Sequence, residues 1–105
     1  MKRVYLCGQV TGLKKEVVIK NFADAKCLIS DRYGMDNVIV VNPLELNRWD
    51  FSEKQCMKNC LNALIDCDII AVQSNYLNSK GALCELALAE KLGLEIIYGC
   101  EIDEK

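Results

Sequence analysis

The sequence predicts an α/β fold, a doubly wound, flavodoxin- or Rossmann-like sheet of four parallel strands in the order 2-1-3-4 with helices on both faces. Short apolar runs, "VYLC", "NVIVVNP", "DIIAVQ" and "EIIYG", lack the alternation of a half-exposed strand, so both faces of the sheet must be covered. Stretches of helical period separate them, and right-handed crossovers then fix the winding. Ligands of such a sheet sit beyond the carboxyl ends of its strands, at the switch point between strands one and three.

Val4 to Cys7 is strand one, stopped by Gly8. From Glu16 to Tyr33, Val18, Phe22, Ala25 and Ile29 recur at helical spacing while Lys20, Asp24 and Lys26 fall elsewhere, giving an amphipathic helix that ends near Gly34. Strand two ends at Asn42-Pro43, because proline restricts the residue before it. A loop from Leu44 to Phe51 holds the only tryptophan, Trp49, which either stacks on a base or anchors the loop. Ser52 and Gln55 form a capping-box signature for a second helix with Met57, Cys60, Leu61, Leu64 and Ile65 on its inner stripe. Asp68 opens strand three and so belongs to the rim opposite the ligand crevice. "NSKGALCELALAEKLG", Asn78 to Gly93, is a third helix with Gly93 as its C-cap. After strand four, the polar tail from Glu101 is expected to fray.

At 105 residues the chain reads as one domain. It can bury only about two-thirds of its unfolded surface, and its third helix is apolar on several sides through Leu83, Leu86 and Leu88. A homo-oligomer, dimer or larger, is therefore expected. Net charge is −2 with Lys and Arg scattered, which argues against a nucleic-acid partner but not against one bound nucleotide. No apolar run approaches ~18 residues, so no membrane span is predicted. "MKRVYLC" reads as a strand rather than a signal peptide, and a cytoplasmic location is expected.

The seven cysteines are odd in number and include no Cys-x-x-Cys, and the chain has no histidine. They read mostly as buried small hydrophobes in a reducing compartment, with no metal and no cofactor implied. Without histidine, any catalysis must run on carboxylates, hydroxyls, amides and backbone.

Three stretches fall on the predicted ligand rim. "CGQVTGL" offers Gly8, Gln9, Thr11 and Gly12, as a phosphate cradle or simply as a tight turn. Asn42 stands at the exit of strand two, and Gln73 to Ser79 at the exit of strand three. Ser79 can cap the third helix and Gly81 lets a ligand approach its first free amides, as an anion site or simply as an ordinary N-cap. Glu85 is the anomaly, a carboxylate on an apolar helix beside Leu88 and Ala89, where glutamate is rarely buried unless paired. It marks a functional carboxylate, a solvent-facing strip or a subunit contact.

"VYLCGQVTGL", "VVNP", "LNALIDCDIIAV" and "NSKGALCELALAEKLGLEIIY", in that order, resemble a family of small bacterial and phage proteins, mostly uncharacterised, related to nucleoside 2-deoxyribosyltransferases. The pattern also resembles the 2'-deoxynucleoside 5'-phosphate N-hydrolases. It covers nearly the whole chain, as one nucleoside 2-deoxyribosyltransferase-like domain over 1–105. The resemblance makes Glu85 the nucleophile and Tyr5 the tyrosine that holds it. It places Gly8, Gln9 and Gly12 near the sugar or phosphate, and Ser79 with Gly81 at the phosphate side. Where those enzymes carry an aspartate that helps handle the leaving base, this chain has Cys60. The implied function is an N-glycosidase or deoxyribosyltransferase acting on a nucleoside or nucleoside 5'-monophosphate. Two alternatives stand beside it: a non-catalytic nucleotide- or phosphosugar-binding module, and an interaction subunit without a ligand.

Overall fold

A computed structural model describes residues 1–100, and the tail from Glu101 lies outside the described residues. In chain order the elements are β1 (Lys2–Cys7), α1 (Lys15–Tyr33), β2 (Val38–Val41), α2 (Pro43–Leu46), α3 (Glu53–Ile65), β3 (Ile69–Val72), α4 (Lys80–Leu92) and β4 (Glu95–Tyr98). All strand pairings are parallel and the sheet order is β2-β1-β3-β4, as predicted. The carboxyl ends of all strands therefore share one rim.

Register decides which side chain faces which layer. Val4 pairs with Ile69, Tyr5 with Ile70, Leu6 with Ala71 and Cys7 with Val72. Successive strand residues point to opposite faces, so Val4, Leu6, Ile69 and Ala71 meet the α1 stripe of Val18, Phe22, Ala25 and Ile29. Tyr5, Cys7, Ile70 and Val72 face the other way, onto Cys60 and Leu64 of α3 and Ala82, Leu86 and Ala89 of α4. The two cores lie on opposite sides of the same two central strands.

Three local departures from the sequence reading have simple causes. The predicted loop after strand two begins with the single turn α2, because Asn42 Oδ1 accepts the Leu44 N–H at 3.0 Å and Pro43 takes the first helical position. The capping box of α3 is only half made: Ser52 Oγ accepts the Gln55 N–H at 3.2 Å, but the Gln55 amide turns to Asn59 Oδ1 at 2.9 Å. Ile65, expected on the inner stripe, is exposed at the last turn of α3, while Cys60 and Leu64 are buried.

α4 is fixed at both ends. Ser79 Oγ accepts the Ala82 N–H at 3.1 Å. At the other end Gly93 takes a left-handed conformation (φ 76°, ψ 25°), with Gly93 N–H donating to Glu90 O and Leu94 N–H to Ala89 O at 3.2 and 3.0 Å. This is a Schellman closure, which favours glycine because a β-carbon strains that backbone. Nothing lies within 4 Å of where the β-carbon would sit, so the strain is purely conformational. Gly93→Ala should therefore cost about 1 kcal/mol and lower Tm by several degrees, with Gly93→Asn milder. Equal Tm values in thermal denaturation would show that this closure does not fix α4.

Candidate active site

Three elements converge on one carboxylate at the β1–α4 contact. β1 supplies Tyr5 and Cys7, two residues apart and so on one face of the strand. α3 supplies Cys60, and α4 supplies Glu85, which is only 7% exposed. The Tyr5 hydroxyl donates to Glu85 Oε2 at 3.0 Å. The Cys7 and Cys60 thiols also face the carboxylate as hydrogen-bond donors. Cys7 has a second acceptor in Ala82 O at 3.5 Å. Behind Cys60 stands an amide chain in which Asn47 Nδ2 donates to Cys60 Sγ at 3.3 Å and Asn59 Nδ2 to Asn47 Oδ1 at 3.0 Å.

Burial and hydrogen bonding act on Glu85 in opposite directions. Removal from water disfavours the charged form, while the donors on Tyr5, Cys7 and Cys60 favour it. Burial wins, and the carboxyl pKa is pushed up to about 7. The helix dipole adds little, because Glu85 lies past the first turn of α4. Desolvation and the neighbouring carboxylate raise Tyr5 and Cys7 in turn, which keeps both protonated as donors. Near neutrality the site thus holds a carboxylate balanced between its two forms among groups that stay neutral.

The remaining sequence candidates surround this centre unevenly. The Gly8–Gly12 loop leaves the end of β1, with Gln9 N–H donating to Asn75 Oδ1 at 3.0 Å and the Gln9 side chain to Thr11 O at 3.0 Å. Gly12 has φ 92°, a value that favours glycine. Asn42 and Ser79 spend their side-chain oxygens as helix caps. At Gly81 a β-carbon would make ordinary contact with Ser79 Oγ at 3.8 Å and Met57 Cε at 4.0 Å, so the start of α4 leaves room there for a small side chain. Trp49 is half exposed with Lys15 Nζ 4.9 Å above its ring. Asp68 sits at the opposite rim, accepting the Arg3 N–H at 2.9 Å. A shallow concavity of about 620 Å³ on that rim, lined by Met1, Lys2, Asp36, Asn37 and Asp68, touches none of the residues around Glu85.

The sequence reading gives Cys7 no site role and names Gln73 only as the start of the strand-three exit. Cys7 had a usable signal, its i, i+2 spacing from Tyr5. Gln73 had another, as the one amide closing an otherwise apolar strand-three run, and it proves fully buried.

A family model described as "Domain of unknown function (DUF4406)" matches residues 2–98. No curated protein matches the chain. Among solved structures, the CMP N-glycosidase BcmB of Clostridium botulinum is similar, with a TM-score of 0.63 and 25% identity over 92% of this chain and 70% of that one.

A carboxyl raised from 4.5 to about 7 leaves a signature in stability. Between those values the folded chain holds a proton that the unfolded chain has released, so stability falls as pH rises through that window. The penalty, on the order of 3 kcal/mol, is complete above the upper value and absent below the lower one. Glu85→Gln should therefore gain on wild type between about pH 5 and about pH 8 in parallel denaturant titrations. A pH-independent difference would show that Glu85 is solvated like a surface carboxylate.

Proposed function

The chain belongs to the DUF4406 family, and we propose that it is an N-glycosidase acting on a nucleoside 5'-monophosphate with the Glu85 carboxylate as nucleophile. The observation that carries this reading is the buried Tyr5–Glu85 pair at the β1–α4 contact. The similarity to a CMP N-glycosidase supports the substrate class.

Breaking an N-glycosidic bond passes through an oxocarbenium-like state at the anomeric carbon. A carboxylate on one face of the sugar stabilises that state and then bonds to the carbon. In the proposed reaction a Glu85 oxygen forms a bond to C1' as the C1'–N bond breaks, and the base leaves with its electron pair and takes a proton from solvent. Water then attacks C1', releases Glu85 and loses a proton. Water as acceptor makes a hydrolase, and a second base makes a transferase. Tyr5 keeps one carboxylate oxygen fixed, so the other is aimed. The start of α4, where free amides and the helix dipole favour an anion, suits the 5'-phosphate.

One observation favours a second reading, a nucleotide- or phosphosugar-binding module without turnover. Cys60 occupies the place where the enzymes that the sequence resembles carry an aspartate for the leaving base.

Turnover separates the two readings. Incubated with a panel of nucleosides and 5'-monophosphates, wild type should release free base by chromatography, and Glu85→Gln should lose orders of magnitude while still binding. Because only the ionised carboxylate attacks, kcat/KM should rise with pH through about 7. Equal base release by wild type and variant would remove Glu85 from the chemistry, and no release from any compound would favour the binding module.

The phosphate is tested independently of cleavage. A 5'-monophosphate should raise Tm more than its nucleoside at the same concentration, since a ligand that binds only the folded state stabilises it. Equal shifts would remove the phosphate from the proposed substrate.

A further inference from the structure

Gln73 is the first residue beyond β3, and its side chain is fully buried. Among the described residues, neither Oε1 nor Nε2 has a hydrogen-bond partner. Its backbone is in order, with the N–H donating to Cys7 O at 2.8 Å. Alternation from Val72 turns the side chain to the α1 face, where Gly8 covers it. A β-carbon on Gly8 would collide with Gln73 Cδ and lie 2.6 Å from its Oε1 and 2.7 Å from its Nε2. Gly8 is thus a glycine because an amide lies against it. Buried amides are normally satisfied, and an idle one is a standing loss of stability that leucine would avoid. An idle amide at the switch point of a parallel sheet stands where such folds bind ligands.

We propose that Gln73 is a sugar-binding residue whose carboxamide meets a hydroxyl of the substrate sugar when the Gly8–Gln9 segment lifts off it. The unspent groups define the ligand, because both a donor and an acceptor are free. A phosphate oxygen only accepts and would leave Oε1 facing negative charge, and an apolar group satisfies neither. A sugar hydroxyl both donates and accepts. The segment that must lift starts at Gly8, turns at Gly12 with φ 92°, and is held to the β3 exit by the bond from Gln9 N–H to Asn75 Oδ1, so lifting it breaks that bond. Gln73 and Glu85 occupy opposite faces of the β1–β3 pair, so a sugar that met both would lie across the strand ends. The assignment takes the sugar from the glycosidase reading but does not require cleavage.

The test is Gln73→Leu, close in size and without the amide. Its Tm without ligand should equal or exceed that of wild type, and a clear fall would overturn the assignment, because the amide would then have a structural partner. In calorimetric titration with ribose 5-phosphate, a probe lacking any base, affinity should drop about tenfold or more. Equal affinity would overturn the assignment, as would failure of wild type to bind the probe. Loss of binding confined to free cytosine would overturn it in favour of a base contact. The glycosidase reading fails separately. Gln73-dependent binding of ribose 5-phosphate, with no base released from any nucleotide, would end that reading and support this one. Base release with unchanged kcat/KM in Gln73→Leu would do the reverse.

Discussion

A carboxylate held out of water against the middle of a sheet constrains everything around it. Glu85 is buried on the face of α4 that packs on β1, and an unpaired charge in that setting would take up a proton or unfold the contact. The structure answers with neutral donors. Tyr5 and Cys7 reach the carboxylate because they alternate onto one side of β1, and Cys60 because α3 packs beside α4. None of these donors is charged, so the carboxyl is supported without being locked into its ionised form. A lysine or arginine in their place would hold the pKa low and keep the group ionised.

That local arrangement depends on the whole topology. β1 and β3 are central strands, buried on both faces, and their register puts Tyr5 beside Ile70 and Cys7 beside Val72. Shifting β1 by one residue would send Tyr5 and Cys7 to the α1 side and leave Glu85 without donors. Ser79 sets where α4 starts and Gly93 where it ends, so the turn that delivers Glu85 to β1 is fixed by caps at both ends. The site is an outcome of register and capping, with few contacts of its own beyond the donors.

These features differ in how they could be read from sequence. Strand order followed from apolar runs alternating with helical periods, since handedness leaves few windings. The Gly93 closure was equally plain. Glu85 stood out because a carboxylate interrupted an apolar helix, but periodicity alone could not say whether that face met water, a subunit or the sheet. The Tyr5 contact came through a family resemblance, since its partner lies 80 residues away. Ile65 and the half-made capping box show where local pattern yields to tertiary context. Ile65 has the right period but sits past the packed turns of α3, and Gln55 finds a better partner in Asn59 than in the chain behind it. Gln73 was hardest to see, because an amide at the end of a strand looks like the start of a loop until its burial is known.

Cys60, where the resemblance implies an aspartate, bears on the electrostatics of the site as well as its inventory. A carboxylate at position 60 would add a second buried acid beside Glu85, and like charges at short range push one of the pair further up in pKa. A thiol avoids that coupling. Cys60 is itself raised above the ordinary thiol range by burial, so it stays protonated and donates. The same rise makes it a poor proton source for a departing base. Under the glycosidase reading, Glu85 therefore keeps an ionisation near neutrality, while the leaving base must find its proton in solvent. Bases that depart readily would then be favoured over those that need a strong acid at the moment of cleavage. The amide chain through Asn47 and Asn59 that ends on Cys60 holds the thiol in that position, so Cys60 is part of an ordered network beside the carboxylate.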